Sequence, residues 1–278
     1  MTEKKINFST KVRLNNGVEM PILGLGTWQL NDGKEAERAI LYALRTGYRL
    51  IDTAEIYGNE GSVGKALYKS GIPREEVFIT TKLWNSDHGY KSAIAACEGS
   101  LKRLELSYID LYLIHWPVTS LRNETWKAME TLLDEGKCRA IGVSNYMIWH
   151  LEELLDSSST IPAVNQVEFS PYLYQKDLLE FCCAYGIQLE AYSPLARGLK
   201  LSDPKLVAMA RKYHKSTAQI LIRWVLQRGI VVIPKSSKAE RMRDNAKVFD
   251  FIISPEDMGA LDSFNEDLRI GWDPSAAE

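Results

Sequence analysis

Short apolar runs alternate along this chain with longer stretches in which apolar residues recur every three to four positions. The short runs hold four to six residues, rich in Val, Ile, Leu and Tyr, which is typical of buried parallel strands. Eight of them fall at residues 22–25, 48–51, 77–81, 109–114, 139–143, 163–167, 187–191 and 230–233. The helical periodicity falls after them, at residues 35–45, 60–69, 91–103, 124–135, 148–156, 176–184, 204–213, 217–227, 239–248 and 256–264. Strands that alternate with helices indicate an α/β protein with a parallel sheet.

Eight strand–helix units favour a closed (β/α)8 barrel, the TIM barrel, because a chain of 278 residues has the usual length of that fold. The pattern leaves two extra helices beyond the eight units. Before the first strand, residues 12–14 and 18–20 flank the turn Asn15-Asn16-Gly17 and predict an N-terminal β-hairpin that covers the bottom of the barrel. Since no Pro/Ser-rich linker or block of like charge interrupts the pattern, we expect residues 1–278 to form a single domain.

One short motif points to a different α/β fold. Residues 24–29 begin like the G-x-G-x-x-G fingerprint of a dinucleotide-binding Rossmann domain. Gln29 stands where the third glycine belongs, and Asn-Asp-Gly at 31–33 follows where a helix should open. The structural context of the fingerprint is missing, so the barrel is the better interpretation.

Composition and charge give no support to a nucleic-acid-binding, membrane-bound or secreted protein. Hydrophobic residues make up 45% of the chain and charged residues 25%, as in ordinary globular proteins. A net charge of −2 gives no electrostatic reason to expect nucleic acid or an anionic membrane surface as a partner. The polar residues 1–5 do not resemble a signal peptide, and no apolar run approaches the roughly 18 residues of a membrane-spanning helix. We therefore expect a cytoplasmic protein that acts on a small molecule.

Seven of the eight predicted strands end in a polar or aromatic residue suited to chemistry. In a barrel of parallel strands, all carboxyl ends face one rim, and active sites are built there. Taken singly, each such residue also fits an ordinary structural role, for example a helix cap, a surface ion pair or a core histidine. The residues are Asp52, Lys82, His115, Ser144 with Asn145, Gln166, Tyr192 and Lys235.

Three motifs resemble those of the aldo-keto reductase family. Residues 47–54, with Tyr57, Glu60 and Gly64 following, are similar to the signature around that family's catalytic aspartate and tyrosine. Residues 141–146 resemble its central motif. Residues 233–236, together with Arg241 and Asn245, resemble its nucleotide-phosphate motif, from which Asp244 is a small departure. The likeness runs from about residue 11 to residue 270 and is greatest to short-loop microbial and protozoan members, such as 2,5-diketogluconate reductase and trypanosomatid prostaglandin F synthase.

The resemblance implies a catalytic tetrad of Asp52, Tyr57, Lys82 and His115. These residue types suit the reduction of a carbonyl group, because hydride addition to a carbonyl leaves negative charge on oxygen and requires a proton donor. Tyrosine is a weak acid with a pKa of about 10, and we expect the Lys82 ammonium to lower that pKa. Asp52 would hold Lys82 in place and charged, and His115 would donate a hydrogen bond that orients the substrate oxygen.

The resemblance also implies a nicotinamide cofactor, since no side chain supplies hydride. NADPH is the expected cofactor, with weaker NADH binding possible, because an ammonium, a hydroxyl and a guanidinium suit a 2′-phosphate. The predicted cofactor contacts are Gly26, Thr27 and Asp52 near the reaction centre, Ser144, Asn145 and Gln166 on the carboxamide, Tyr192 under the nicotinamide ring, Ser193 and Leu195 on the pyrophosphate, Lys235, Ser236 and Arg241 on the 2′-phosphate, and Asn245 on adenine.

Trp28, Trp84 and Trp116 follow predicted strands and, with His115, would surround the substrate carbonyl. The connections at 117–123 and 193–202 are short, so we expect an open pocket for varied aldehydes and some ketones. We expect no metal, because His115 and Asp52 alone do not make a metal-ligand set. The predicted protein is a monomeric NADPH-dependent carbonyl reductase. One alternative is a regulatory subunit of the same fold that binds the cofactor with little turnover. Another is a barrel enzyme of a different reaction type, such as an isomerase or a metal hydrolase.

Overall fold

The computed structural model of the chain describes residues 6–118 and 121–277. Its strands are β1 (Lys11–Arg13), β2 (Glu19–Pro21), β3 (Leu25–Gly26), β4 (Leu50–Asp52), β5 (Phe78–Leu83), β6 (Ile109–Ile114), β7 (Cys138–Ser144), β8 (Val164–Glu168), β9 (Gln188–Tyr192) and β10 (Val231–Val232). Its α-helices are α1 (Lys34–Thr46), α2 (Glu60–Ser70), α3 (Tyr90–Leu104), α4 (Arg122–Asp134), α5 (Ile148–Ser157), α6 (Lys176–Ala184), α7 (Pro204–Lys212), α8 (Thr217–Gln227), α9 (Ala239–Ala246) and α10 (Pro255–Asp262). None of these helices is long and apolar enough to cross a bilayer.

Strands β3 to β10 pair in parallel and in sequence order. Two bridges join the first of them to the last, one between Leu23 and Val232 and one between Gly26 and Lys235. The sheet therefore closes, which confirms the predicted (β/α)8 barrel. The first and last strands are shorter than predicted because their outer residues pair only through such isolated bridges, as when the Gly24 N–H donates to the Val232 carbonyl (2.9 Å).

The N-terminal hairpin lies where the sequence places it, within one residue at each end. Strands β1 and β2 pair antiparallel, and Gly17 takes a positive φ of 88° in the turn between them. Leu14 and Met20 are buried among apolar residues of the barrel interior, including Leu50 and Phe78 at the start of β4 and β5. The hairpin thus fills one end of the barrel and leaves the carboxyl ends of the strands for a site.

Close approach of neighbouring strands depends on Gly142 in β7. A Cβ atom at this position would lie 2.5 Å from the Val164 carbonyl oxygen and 2.9 Å from the Leu113 side chain. Such distances are far inside van der Waals contact, so any other residue would push β7 away from β6 and β8. The absence of a side chain here fixes the positions of Ser144 and Asn145, which follow directly.

Candidate active site

A cavity of about 1130 Å³ opens at the carboxyl ends of the barrel strands. Most of the predicted site residues line it, although they are scattered over more than 200 positions of the chain. Two do not, because Thr27 and Lys82 are completely buried. The predicted residues in the cavity wall are Gly26, Trp28, Asp52, Tyr57, Trp84, His115, Trp116, Ser144, Asn145, Gln166, Tyr192, Ser193, Leu195, Lys235, Ser236, Arg241 and Asn245.

The Thr27 hydroxyl donates to the Asp52 main-chain oxygen (2.9 Å). This bond holds the end of β3 against the end of β4. The Thr27 side chain is therefore packed between strand ends beside the cavity. It does not reach the cavity surface, where a side-chain contact to a cofactor would be made.

Lys82 forms an ion pair beneath the cavity. Its Nζ donates to both carboxylate oxygens of Asp52, each at 2.7 Å, and to the Thr53 carbonyl oxygen at 2.9 Å. An ammonium has three N–H donors, so all of them are used within the protein. The same Nζ lies 5.3 Å from the centre of the Tyr57 ring, which places the lysine charge against the aromatic ring.

Tyr57 ends a short 3-10 turn (Glu55–Tyr57), and Gly58 turns the chain away with a φ of 67°. Burial raises the pKa of the Tyr57 phenol well above its ordinary value, and the carboxylates of Asp52 and Glu190 raise it further. The net shift is therefore opposite to the lowering expected from Lys82, because burial and then the two carboxylates dominate the pKa of Tyr57. Tyr57 is protonated at neutral pH and able to donate its proton.

His115 follows β6 and packs beside Tyr57. Its ring meets Tyr57 edge-on at 5.7 Å and Trp84 edge-on at 5.3 Å between centroids. Burial and then the Lys82 charge hold the pKa of His115 well below its usual range, so the imidazole is neutral. A neutral imidazole carries one N–H donor and one acceptor nitrogen, which suits it to bind a carbonyl oxygen without transferring a proton.

A hydrogen-bond network connects the ends of β7 and β9. The Ser144 hydroxyl donates to the Gln166 main-chain oxygen (2.8 Å), the Asn145 amide to the His115 oxygen (2.9 Å), and the Tyr192 hydroxyl to Asn145 Oδ1 (2.8 Å). Asn145 has a φ of 64°, a left-handed conformation that asparagine tolerates better than most residues. These hydrogen bonds hold the side chains in place at the cavity wall, and backbone strain of this kind is common at functional sites.

The strained backbone extends around the cavity wall. Three further non-glycine residues of the wall have positive φ angles: Gln29 (60°), Ser193 (49°) and Arg197 (49°). The sequence predicts only Ser193 as a site residue. The Arg197 guanidinium lies 4.4 Å above the ring of Trp28, so the connection after β9 folds back over the first tryptophan of the cavity.

Two cations in the cavity wall have no partner in the part of the chain that the structure describes. Lys235 and Arg241 are exposed, and within residues 6–118 and 121–277 neither forms an ion pair or a side-chain hydrogen bond. Ser236 lies between them in sequence, and its hydroxyl accepts the Lys238 N–H (3.1 Å) just before α9 begins. Unpaired cations beside a helix N-terminus favour an anionic ligand. Asp244, the departure from the family motif, pairs with Lys247 (3.2 Å).

Sequence reasoning missed two residues besides Arg197. Trp272 lies in the C-terminal segment, lines the cavity and contacts Trp116 with ring centroids 4.8 Å apart. No periodic signal marks it, because it follows the last helix. Glu190 lies inside the barrel, two residues before Tyr192 on the same strand. Side chains two residues apart on a strand point to the same face, so the position of Tyr192 could have predicted that Glu190 lies near the site.

A closed (β/α)8 barrel whose strand ends carry acidic, phenolic, amine and imidazole side chains around one cavity has the architecture of a barrel enzyme. The chain belongs to the aldo/keto reductase family, whose sequence model matches residues 22–266. This match confirms the resemblance read from the three motifs and places the protein among oxidoreductases.

Similar proteins extend over nearly the whole chain. A glyoxal reductase from Bacillus subtilis is 52% identical over 263 residues, which is 95% of this chain and 95% of that protein. A 9,11-endoperoxide prostaglandin H2 reductase from Trypanosoma cruzi is 50% identical over 266 residues, covering 95% of this chain and 94% of its own length. The crystal structure of a Bombyx mori aldo-keto reductase in complex with NADP superposes with a TM-score of 0.88, at 37% identity and 95% coverage of both chains.

Proposed function

We propose that this protein reduces aldehydes and some ketones to alcohols, with NADPH as the hydride donor. Family membership supports an oxidoreductase that acts on carbonyl groups. The observation that carries the finer proposal is the meeting of Tyr57 and His115 with two unpaired cations, Lys235 and Arg241, around one cavity.

Tyr57 is the proposed proton donor. As hydride adds to the carbonyl carbon, the oxygen gains negative charge and becomes a far stronger base than a phenolate. A phenol with a raised pKa can therefore still protonate it. The Lys82 ammonium, close to the Tyr57 ring, then stabilises the phenolate that remains. His115, neutral and adjacent to Tyr57, donates a hydrogen bond that orients the carbonyl oxygen before transfer.

The donor set of the cavity fits a nicotinamide dinucleotide phosphate. When bound, this cofactor supplies the hydride that no side chain can provide. Ser144, Asn145 and Gln166 would hold the carboxamide, and Tyr192 would support the ring. Gly26 lines the cavity together with Asp52 and would contact the cofactor near the reaction centre. The remaining contacts would follow the chain after β9 and β10, with Ser193 and Leu195 on the pyrophosphate and Asn245 on the adenine.

The proposed preference for NADPH over NADH rests on Lys235 and Arg241, which have no ion-pair partner among the described residues. Lys235, Ser236 and Arg241 offer an ammonium, a hydroxyl and a guanidinium, which together suit a doubly charged phosphate. NADH lacks that phosphate, so it leaves the cations without a partner and binds more weakly. The NADP complex of the Bombyx mori relative agrees with this assignment.

The substrate end of the cavity is aromatic. Trp28, Trp84 and Trp116 form the proposed wall, and Trp272 adds a fourth ring. An apolar wall around a few polar groups discriminates weakly between carbonyl compounds of similar size. We therefore propose a broad substrate range that includes small dicarbonyl compounds, in agreement with the similarity to a glyoxal reductase.

The direct test follows NADPH absorbance with methylglyoxal, an aromatic aldehyde, an aldose and a diketo sugar acid. We expect turnover with at least the first two, and loss of turnover in Tyr57→Phe. Tight NADPH binding with negligible turnover on every carbonyl would instead favour the regulatory subunit. A monomeric state and a cytoplasmic location stay predictions, the first of which gel filtration tests.

A further inference from the structure

A line of polar side chains crosses the barrel interior, where apolar residues usually pack. It runs from Lys82 on β5 through Asp52 on β4 and Gln166 on β8 to Glu190 on β9. All four side chains are buried. Strands β4 and β8 lie on opposite sides of the barrel, so Gln166 joins its two halves.

Gln166 uses its whole donor capacity inside this line. Its Nε2 donates to Asp52 Oδ2 at 2.8 Å and to Glu190 Oε2 at 2.7 Å. A primary amide has two N–H donors, so none remains for a ligand. The reversed amide orientation is unfavourable, because it would turn the amide oxygen toward the negative Asp52 oxygen.

The carbonyl end of the same amide is available. None of the described residues donates a hydrogen bond to Gln166 Oε1, and Gln166 lines the cavity. The site therefore presents a hydrogen-bond acceptor at this point. The carboxamide of a nicotinamide ring carries an NH2 group, which is the complementary donor.

We propose that Glu190 is a positioning residue, which together with Asp52 fixes the Gln166 amide so that its oxygen accepts a hydrogen bond from the nicotinamide carboxamide. The inference rests on the proposed function, because it assumes a nicotinamide cofactor in this cavity. Asp52 restrains one N–H of the amide, and Glu190 restrains the other. Without Glu190, the second N–H loses its partner and the amide is free to rotate away from the cofactor.

The role of Glu190 does not depend on its charge. Burial, and then the neighbouring Asp52 carboxylate, raises the pKa of Glu190 to about 8. Glu190 Oε1 has no hydrogen-bond partner among the described residues, so protonation at Oε1 leaves Oε2 free to accept. In either protonation state Oε2 still accepts from Gln166.

The test measures binding of three ligands by titration calorimetry. NADP+ carries the carboxamide, its 3-acetylpyridine analogue has a methyl group in place of the amide NH2, and 2′,5′-ADP lacks the pyridine ring altogether. Glu190→Met removes the acceptor and keeps the side-chain volume. Glu190→Gln keeps an acceptor and serves as the conservative rescue.

For Glu190→Met we expect NADP+ to bind about 10-fold more weakly, equivalent to about 1.4 kcal/mol. The acetylpyridine analogue and 2′,5′-ADP should change by less than about 2-fold, and Glu190→Gln should match the wild type with all three ligands. Equal weakening of all three ligands, or no weakening of NADP+, would overturn the proposal. A wild-type protein that binds none of them would instead refute the proposed function.

A second variant covers the case in which Glu190→Met does not fold. Glu190→Asp keeps the carboxylate but shortens it by one methylene, which withdraws the acceptor from Gln166. It should show the same selective loss of NADP+ affinity. A Glu190→Asp protein with wild-type preference for NADP+ over the acetylpyridine analogue would also count against the proposal.

Discussion

The buried ion pair between Asp52 and Lys82 gives a sharp prediction about stability. Both side chains are excluded from solvent and joined by two 2.7 Å hydrogen bonds. The perturbation is a double-mutant cycle of Asp52→Asn, Lys82→Met and the two together. Each single substitution leaves one buried charge without its counter-charge.

The expected magnitude follows from the burial. Breaking a buried pair by removing one partner costs about 3–5 kcal/mol, because the remaining charge must lose its proton, gain one or stay unpaired. Lys82 would keep only its contact to the Thr53 carbonyl (2.9 Å) and an amide oxygen in Asp52→Asn. In Lys82→Met, the Asp52 carboxylate would stay near Glu190, which already shares the Gln166 amide with it. The double variant buries no unpaired charge and should be more stable than either single variant.

The assay is urea unfolding at pH 7, followed by circular dichroism and by tryptophan fluorescence so that coincident transitions can be checked. A loss of about 3–5 kcal/mol in each single variant, with partial recovery in the double variant, is the predicted result. Additive losses in the double variant would show that the two side chains contribute independently. That outcome would contradict a role of Asp52 and Lys82 as one coupled pair.

Three further predictions concern chemistry and pH. Tyr57→Phe should lower turnover by roughly 100-fold or more and leave the NADP+ dissociation constant near the wild-type value, because it removes a proton donor alone; unchanged turnover would exclude Tyr57 as the donor. Arg241→Ala should raise KM for NADPH far more than KM for NADH. The control is Arg243→Ala, which should change neither KM, because Arg243 lies on the same helix but bonds to Tyr42 and is outside the cavity wall. An equal rise in KM for both cofactors in Arg241→Ala would contradict the assignment of Arg241 to the 2′-phosphate. Because the pKa of Glu190 rises from 4.5 to about 8 on folding, its contribution to stability is fully present below pH 4.5 and is lost as pH rises through about 8, by up to about 1.4 kcal/mol per pH unit. Glu190→Gln should therefore show a smaller fall in unfolding free energy between pH 5 and 8 than the wild type, and parallel curves would contradict the raised pKa.

The architecture was predictable because strand and helix patterns alternate without interruption. Once the sheet closes, the residues at strand ends must meet, and Ser144, Gln166 and Tyr192 do so. The ends of the first and last barrel strands were harder to predict, since residues 22–24 pair only through isolated bridges. A hydrophobic run does not reveal how regular its hydrogen bonding will be.

The electrostatics of the site could not be predicted from residue types alone. The sequence places a lysine near Tyr57 but does not show that Asp52 and Thr53 occupy all three of its N–H groups. The upward shift of the Tyr57 pKa follows first from burial and then from the Asp52 and Glu190 carboxylates. Trp272 was missed for a similar reason, because only the folded chain brings the C-terminal segment to Trp116.

The proposed function depends on one step, the passage of hydride from NADPH to a carbonyl carbon in this cavity. The most direct measurement uses NADPH deuterated at the transferring C4 position, with mass spectrometry and NMR of the alcohol formed from an aromatic aldehyde. If hydride passes in this way, the alcohol carries one deuterium on the carbinol carbon and none on the hydroxyl oxygen after exchange with water. An alcohol without carbon-bound deuterium, or no oxidation of NADPH with any carbonyl, would contradict the proposed function.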